Sequence, residues 1–315
     1  MGTVVLSIDA ELAWGFHDLP NPPDRRIEAA RPSWERLLAT LEKFSIPATW
    51  AIVGHLFLPE CDGFHRTHPA SPDWFARDPG GKAENHDSWF GPDLVREIQS
   101  AETPHEIGCH SFSHVEFGKR ETTREIAVAE VEASIKAAAS MGVPLHSFVF
   151  PRNNVGYRSV LSSYGFTCYR GTRPSWWFDS LPTPRAGKLL DATVVRSAPP
   201  LVSPTADEYG LVDLPASLDL FGFEGIARSF VEPAFGDPIV RQAKAGIERA
   251  VTEDGVFHLW LHPNNLLDEP DFRRLNRVLS YLAARRKRTS LSVETMRTAS
   301  ERAIDESPIR ERTPP

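Results

Sequence analysis

The chain has 315 residues, 41% of them hydrophobic, which is enough for a sizeable core and fits one large α/β unit or two small domains. Its 35 Lys and Arg against 42 Asp and Glu give a formal charge of −7 with no basic stripe, which excludes the electrostatic footprint of a nucleic-acid binder. No run of about 18 apolar residues occurs, so no membrane-spanning helix is expected.

Residues 4–8 are a β-rich apolar run, read as a buried strand, with Asp9 and Glu11 at its C-terminal end. Strand side chains alternate, so the two carboxylates point the same way, and crowding them needs a cation or a shared proton. Residues 12–32, rich in Pro, Asp and Asn, read as a loop. Trp34, Leu37, Leu38, Leu41 and Phe44 then fall on one face of an amphipathic helix. Residues 48–54 read as a second strand. A long polar insertion over residues 58–92 carries His65, His68 and His86, and a loop of that length is usually functional or disordered. Leu94, Val95 and Ile98 mark a short helix leading to the stretch 105–114, where His110 and His114 stand four apart. On a helical turn that spacing puts both imidazoles on one face, within reach of one cation. Alone, such a pair is more often simply solvated.

The spacing predicts a helix over 123–141 with Ile126, Ala129, Ala133 and Ala137 facing inward, ended by Gly142. Strands follow at 147–150, 166–169 and 211–215, with a brief helix around Val160. A helix carrying Ile239, Ala243 and Ile247 precedes a strand over 256–261. The last long helix buries Phe272, Leu275, Val278, Leu279 and Leu282, and its basic end, Arg285 to Arg288, suits a helix C-terminus without invoking nucleic acid. A strand over 291–293 completes a single domain, 1–297, and residues 298–315 read as a disordered tail. Strands and helices alternate about seven times without a linker or repeat, which favours a parallel barrel with helices outside.

Chemistry in such a barrel sits at the C-terminal ends of the strands. Asp9, Glu11, His110, Arg152 and His262 all follow predicted strands, so they meet at one mouth. One carboxylate and two histidines make a three-ligand set with open coordination positions, and the second carboxylate is free to act as a base. Cys109, beside His110, reads as a small buried filler. The three cysteines, Cys61, Cys109 and Cys168, suit a reducing compartment, and the first residues enter a strand without the regions of a signal peptide. A cytoplasmic location is therefore expected.

Together these residues resemble the polysaccharide deacetylase family, the group with the NodB homology domain, akin to the fourth family of carbohydrate esterases. Ser7-Ile8-Asp9-Ala10-Glu11 is similar to its first motif, His110-Ser111-Phe112-Ser113-His114 to its second, and Leu259-Trp260-Leu261-His262 to its last. The likeness runs from about residue 3 to about residue 295. It implies an irregular (β/α)7 barrel and one divalent metal ion, zinc, held by Glu11, His110 and His114. It also implies Asp9 as the base, His262 as the acid, Trp260 lining an acetyl pocket, and Arg152 orienting the base carboxylate. The chain departs from the family in the residue between Asp9 and Glu11 and in the glutamate itself, where aspartate is usual. It also lacks a visible aspartate near residues 169–177 to partner His262; Asp213 is a weak substitute. His258 shares the face of Trp260 and is a candidate supporting residue. Trp14, Trp89, Trp176 and Trp177 fall in loops near strand ends, where apolar faces stack on sugar rings. The substrate implied is an acetylated sugar or glycan precursor, losing N-acetyl or O-acetyl groups. Two other readings stay open: an amidohydrolase of a non-sugar amide, with or without metal, and a catalytically silent glycan-binding barrel.

Overall fold

In the computed structural model, which describes residues 2–70, 72–81 and 86–306, everything is arranged about β1 (Thr3–Ala10), whose eight residues are all buried. The other strands are β2 (Thr49–Ile52), β3 (Glu106–Cys109), β4 (Ser147–Val149), β5 (Cys168–Arg170), β6 (Thr205–Ala206), β7 (Val212–Asp213), β8 (Leu218–Asp219), β9 (Val256–Leu261) and β10 (Ser292–Glu294). Nine of them run in the order β6-β7-β5-β4-β3-β2-β1-β9-β8, with β10 paired to β1 beside this path, and every pair is parallel except β6 with β7. Burial on both faces explains why apolar residues fill consecutive positions of β1 and β9 instead of alternating strictly.

The stretch from β7 to β8 joins the two ends of this order. Leu214 N–H bonds the Tyr169 carbonyl at 3.0 Å on the β5 side, and Ser217 N–H bonds the His258 carbonyl at 2.7 Å on the β9 side. A single crossing segment thus serves both edges, and the expected (β/α)7 barrel is the fold, irregular because this stave is broken in two. The helices Asp24–Phe44, Arg124–Ala139, Pro238–Thr252 and Glu269–Arg288 follow the expected order outside it. Trp34 stacks on Trp50 with ring centroids 5.3 Å apart, joining the first helix to β2. No described helix is long and apolar enough to cross a membrane.

Several expectations need correction. Residues 12–32 contain a 3-10 turn, Leu12–Phe16, and the helix already begins at Asp24. Pro32 removes one backbone donor, yet the buried stripe of Trp34, Leu37, Leu38 and Leu41 holds the helix together around it. In the helix Arg124–Ala139 the buried positions are Ala127, Glu130, Val131, Ser134, Ala137 and Ala138, so only Ala137 of the expected face is fully covered. An alanine-rich helix carries little apolar asymmetry, and its rotation is set by where Glu130 reaches. Residues 298–306 are not tail: the helix Met296–Glu306 buries Met296, Ala299 and Ser300, its start tied by Met296 N–H to Thr49 Oγ1 at 2.8 Å. The remaining tail residues, 307–315, lie outside the described residues.

Candidate functional site

β1 delivers two buried carboxylates to the mouth of the barrel, and each has a different partner. Asp9 is clamped by Arg170, which rises from the end of β5 and is fully buried: Nη1 donates to Oδ1 at 2.6 Å and Nη2 to Oδ2 at 2.7 Å. This fork geometry is the strong form of a charge-assisted pair. Burial opposes the charge on Asp9, but Arg170 first, then His262 and His110, hold its pKa below the ordinary carboxylate value. Arg170 is itself oriented by Asn153 Oδ1 at 2.9 Å and by Ser7 Oγ at 3.0 Å. Ser7 Oγ also lies 2.9 Å from His258 Nε2, and His258 Nδ1 lies 3.1 Å from the Leu214 carbonyl. A proton on Nδ1 donates to that carbonyl, leaving Nε2 to accept from Ser7 and Ser7 to accept from Arg170. Burial, with Arg170 nearby, pushes the pKa of His258 down to about 3, so it serves this chain as a neutral ring.

Glu11 turns the other way. Its Oε2 stands 3.0 Å from His114 Nε2 and 3.5 Å from His110 Nε2, while Oε1 accepts from Asn264 Nδ2 at 3.0 Å. Gly15 makes room for this, since a Cβ there would lie 2.2 Å from the Glu11 carboxyl carbon. His110 Nδ1 bonds the Val149 carbonyl at 2.8 Å, which places its proton on that nitrogen and turns the Nε2 lone pair toward Glu11. That buried Nε2 makes no hydrogen bond among the described residues. Burial lowers the pKa of His110, favouring the neutral ring that a metal requires. One ligand atom from each of Glu11, His110 and His114 falls within a 4.8 Å set, so these residues fit a divalent ion with further positions open.

The two histidines do not lie on a helical turn. Residues 110–114 form an irregular loop, with left-handed backbone at Ser111 (φ 58°) and His114 (φ 64°). The buried Glu130 replaces the missing helix hydrogen bonds: its carboxylate accepts from Phe112 N–H and Ser113 N–H, both at 2.8 Å, and from Ser113 Oγ at 2.5 Å. The spacing therefore brought the imidazoles together through a loop folded over an anion.

His262 closes the site from the end of β9. Its Nε2 lies 3.6 Å from Asp9 Oδ2 and 3.8 Å from Glu11 Oε1, and its Nδ1 meets Asn265 Oδ1 at 3.2 Å. Burial works against its charge, yet Glu11, Asp9 and Asp219 outweigh it and raise its pKa. Asp219, on β8, acts on His262 only through its charge, the ring itself being held by Asn265, whereas Asp213 sits beside Tyr169 and Arg158. Trp260 is half-buried, with its ring 5.4 Å from that of His262 and 4.5 Å from the Arg170 guanidinium carbon.

Two expected placements fail. Arg152 does not reach Asp9; it pairs with Asp18 at 2.5 and 2.8 Å and with Glu116 at 2.8 Å on the outer rim. The left-handed backbone of Arg152 and Asn153 presents Asn153 to the inside instead, and Arg170 takes the expected role. Trp14 is fully buried, donating to the Trp89 carbonyl at 3.1 Å, so it has no face to offer a sugar; Trp89 is half-buried against it. Arg170, Asn153, Asn264, Asn265, Glu130 and Asp219 carried no clear motif, although an arginine at the end of a buried strand was a signal for the first.

The sequence profile described as Polysaccharide deacetylase matches residues 12–169. No curated protein matches the chain. Among solved structures, the fold is similar to a putative polysaccharide deacetylase from Mycobacterium smegmatis, with TM-score 0.63 and 15% identity, covering 96% of this chain and 90% of the other. It is also similar to a probable polysaccharide deacetylase from Pseudomonas aeruginosa PAO1, with TM-score 0.61 and 12% identity over 98% and 92%. A Puue allantoinase shares the fold as well, with TM-score 0.61 and 13% identity over 97% and 91%.

Proposed function

The chain belongs to the polysaccharide deacetylase family, a family of hydrolases acting on carbon–nitrogen bonds, and from that membership we propose that it removes acetyl groups from an acetylated sugar or glycan precursor. The observation that carries this reading is the division of labour at the mouth: Glu11 faces the two histidines while Asp9 is tied to Arg170. We assign Glu11, His110 and His114 as ligands of one divalent ion, zinc by the chemistry of the donors, and place the enzyme in the cytoplasm. When bound there, the ion supplies Lewis acidity, polarising the acyl carbonyl and making a water molecule easier to deprotonate.

The protein groups do the rest. Asp9 accepts the proton of the attacking water as it adds to the carbonyl carbon. Arg170 holds that carboxylate in place and ionised, so it stays competent at neutral pH. His262 Nε2 then donates a proton to the nitrogen as the C–N bond breaks, releasing acetate and an amine. Asn265 fixes the ring and the surrounding carboxylates keep it protonated. Trp260 walls the side where the acetyl methyl would rest. Acetate release from a panel of acetamido sugars tests the proposal. Hydrolysis of a small linear or cyclic amide, with no acetate from any sugar, would favour the amidohydrolase reading. Binding of glycans without turnover would favour a silent barrel.

A further inference from the structure

The insertion that follows β2 holds a second cluster of metal-ligating side chains, away from Glu11 and its histidines. His55, in the turn after β2, is fully buried, and Cys61, His65 and Asp78 come from the insertion itself. His55, Cys61 and His65 converge on one oxygen: Asp78 Oδ2 lies 3.0 Å from His55 Nε2, 2.7 Å from His65 Nε2 and 3.2 Å from Cys61 Sγ. One ligand atom from each of the four lies within 4.8 Å of the others. The side chains of His55 and Asp78 are wholly inaccessible and that of His65 is 13% exposed.

An ion pair alone does not account for this arrangement. One carboxylate oxygen faces two imidazoles and a thiol at once, and the buried His55 Nε2 makes no well-formed hydrogen bond among the described residues. The backbone is shaped around the cluster as it is around a bound cation. Gly63 N–H points to Cys61 Sγ at 3.3 Å, and Gly80 N–H to Asp78 Oδ1 at 2.9 Å. Both glycines have left-handed φ, 74° and 59°, and a Cβ on Gly63 would come 3.2 Å from Gly80 N, so the two turns cross too closely for side chains. Bonds of ~2.0–2.3 Å in a tetrahedral site imply ligand separations of about 3.3–3.8 Å. The three separations from Asp78 Oδ2 would open by less than about 1 Å to admit the ion.

We propose that His55, Cys61, His65 and Asp78 bind a second, structural zinc ion that fastens the insertion to the barrel. A thiolate, two imidazoles and a carboxylate are a closed four-ligand set of the borderline-soft type that zinc prefers. The insertion needs such a fastening, because Phe64 is exposed and Phe75 is its one fully buried aromatic ring among the described residues of 58–81. The ion also bears on the neighbouring site. His68, three residues after His65, reaches Glu130 at 3.2 Å, and Phe112 lies between with its ring 5.5 Å from His55 and 5.6 Å from His65. The zinc would thereby steady the loop that carries His110 and His114.

The whole 315-residue chain, loaded with zinc and freed of excess, should contain two equivalents. Cys61→Ser and, separately, Asp78→Asn should each lose one equivalent, and His110→Ala the other. Cobalt makes the assignment direct, because only this site offers sulfur: a thiolate-to-cobalt absorption band should persist in His110→Ala and vanish in Cys61→Ser. The wild-type protein covers the case of a variant that does not fold. Cys109 and Cys168 are buried, so Cys61 is the thiol available to an alkylating reagent, and zinc should protect it until a chelator is added. A wild-type protein without the band, or with Cys61 alkylated equally with and without zinc, would overturn the proposal, whatever the activity of the Glu11 site.

Discussion

Replacing Arg170 with methionine tests how the site keeps a carboxylate charged inside the barrel. Arg170 is fully buried and both its terminal nitrogens bond Asp9, which is itself almost wholly covered. The variant keeps most of the side-chain volume and leaves Asp9 without its counter-charge. Breaking a buried pair in this way costs about 3–5 kcal/mol, most of it from the stranded charge rather than from lost attraction. The sign follows from linkage. In the native protein the depressed pKa of Asp9 gives stability that is present above the unfolded value of about 3.9 and lost as pH falls through the folded one. Without Arg170, burial is opposed only by His262 and His110 and raises that pKa, so Asp9→Asn added to Arg170→Met should restore stability. Urea unfolding from pH 4 to 8 should show the gap between native and Arg170→Met widest at pH 8 and narrowing toward pH 4. The acidic limb of the activity profile should move to higher pH in the variant. A stability loss equal at every pH, with no rescue by Asp9→Asn, would refute the claim that Arg170 acts by holding Asp9 ionised.

Glu11→Gln should lose the ion of the Glu11 site, whereas Asp9→Asn should retain it and lose turnover by ~10²–10⁴-fold, both read from metal content and initial rates; the reverse pattern would exchange their roles. His262→Ala should slow acetamide hydrolysis by ~10²-fold or more and an activated aryl acetate far less, since a phenolate leaves without a proton. Asp219→Asn should move the alkaline limb of the pH profile to lower pH, because Asp219 helps raise the pKa of His262 and the acid works only while protonated. Glu130→Ala should strand two backbone donors and a hydroxyl at about 1–3 kcal/mol each, lowering the melting temperature and weakening metal binding together.

The residues that gather at the mouth were readable because strand ends and a fixed histidine spacing put these side chains at a known place. Asp9, Glu11 and His262 meet as the strand ends implied, and His110 and His114 join them through a loop rather than the expected helical turn. The partners were harder to read, since they act through geometry that no local spacing encodes. Arg170 lies 161 residues from Asp9 in sequence and reaches it only because β5 and β1 face each other across the barrel. Arg152 was the misleading choice, because its left-handed backbone sends it outward, and left-handed φ at a non-glycine residue leaves no mark in the sequence. The loop character of residues 110–114 was hidden for a related reason. It depends on Glu130, a charged residue in a helix that reads as solvated until the structure shows it wholly buried. Fold class was legible from strand and helix alternation, but the broken stave at residues 212–219 was not, because two-residue strands carry no periodicity.

The most direct test of the account combines metal content with acetate release on the same purified protein. Zinc-loaded enzyme should release acetate from at least one acetamido sugar, lose that activity on chelation and regain it with added zinc, while His110→Ala stays inactive throughout. A metal-free protein that hydrolyses the same substrate at the full rate, or a zinc-loaded one that releases acetate from none, would contradict it.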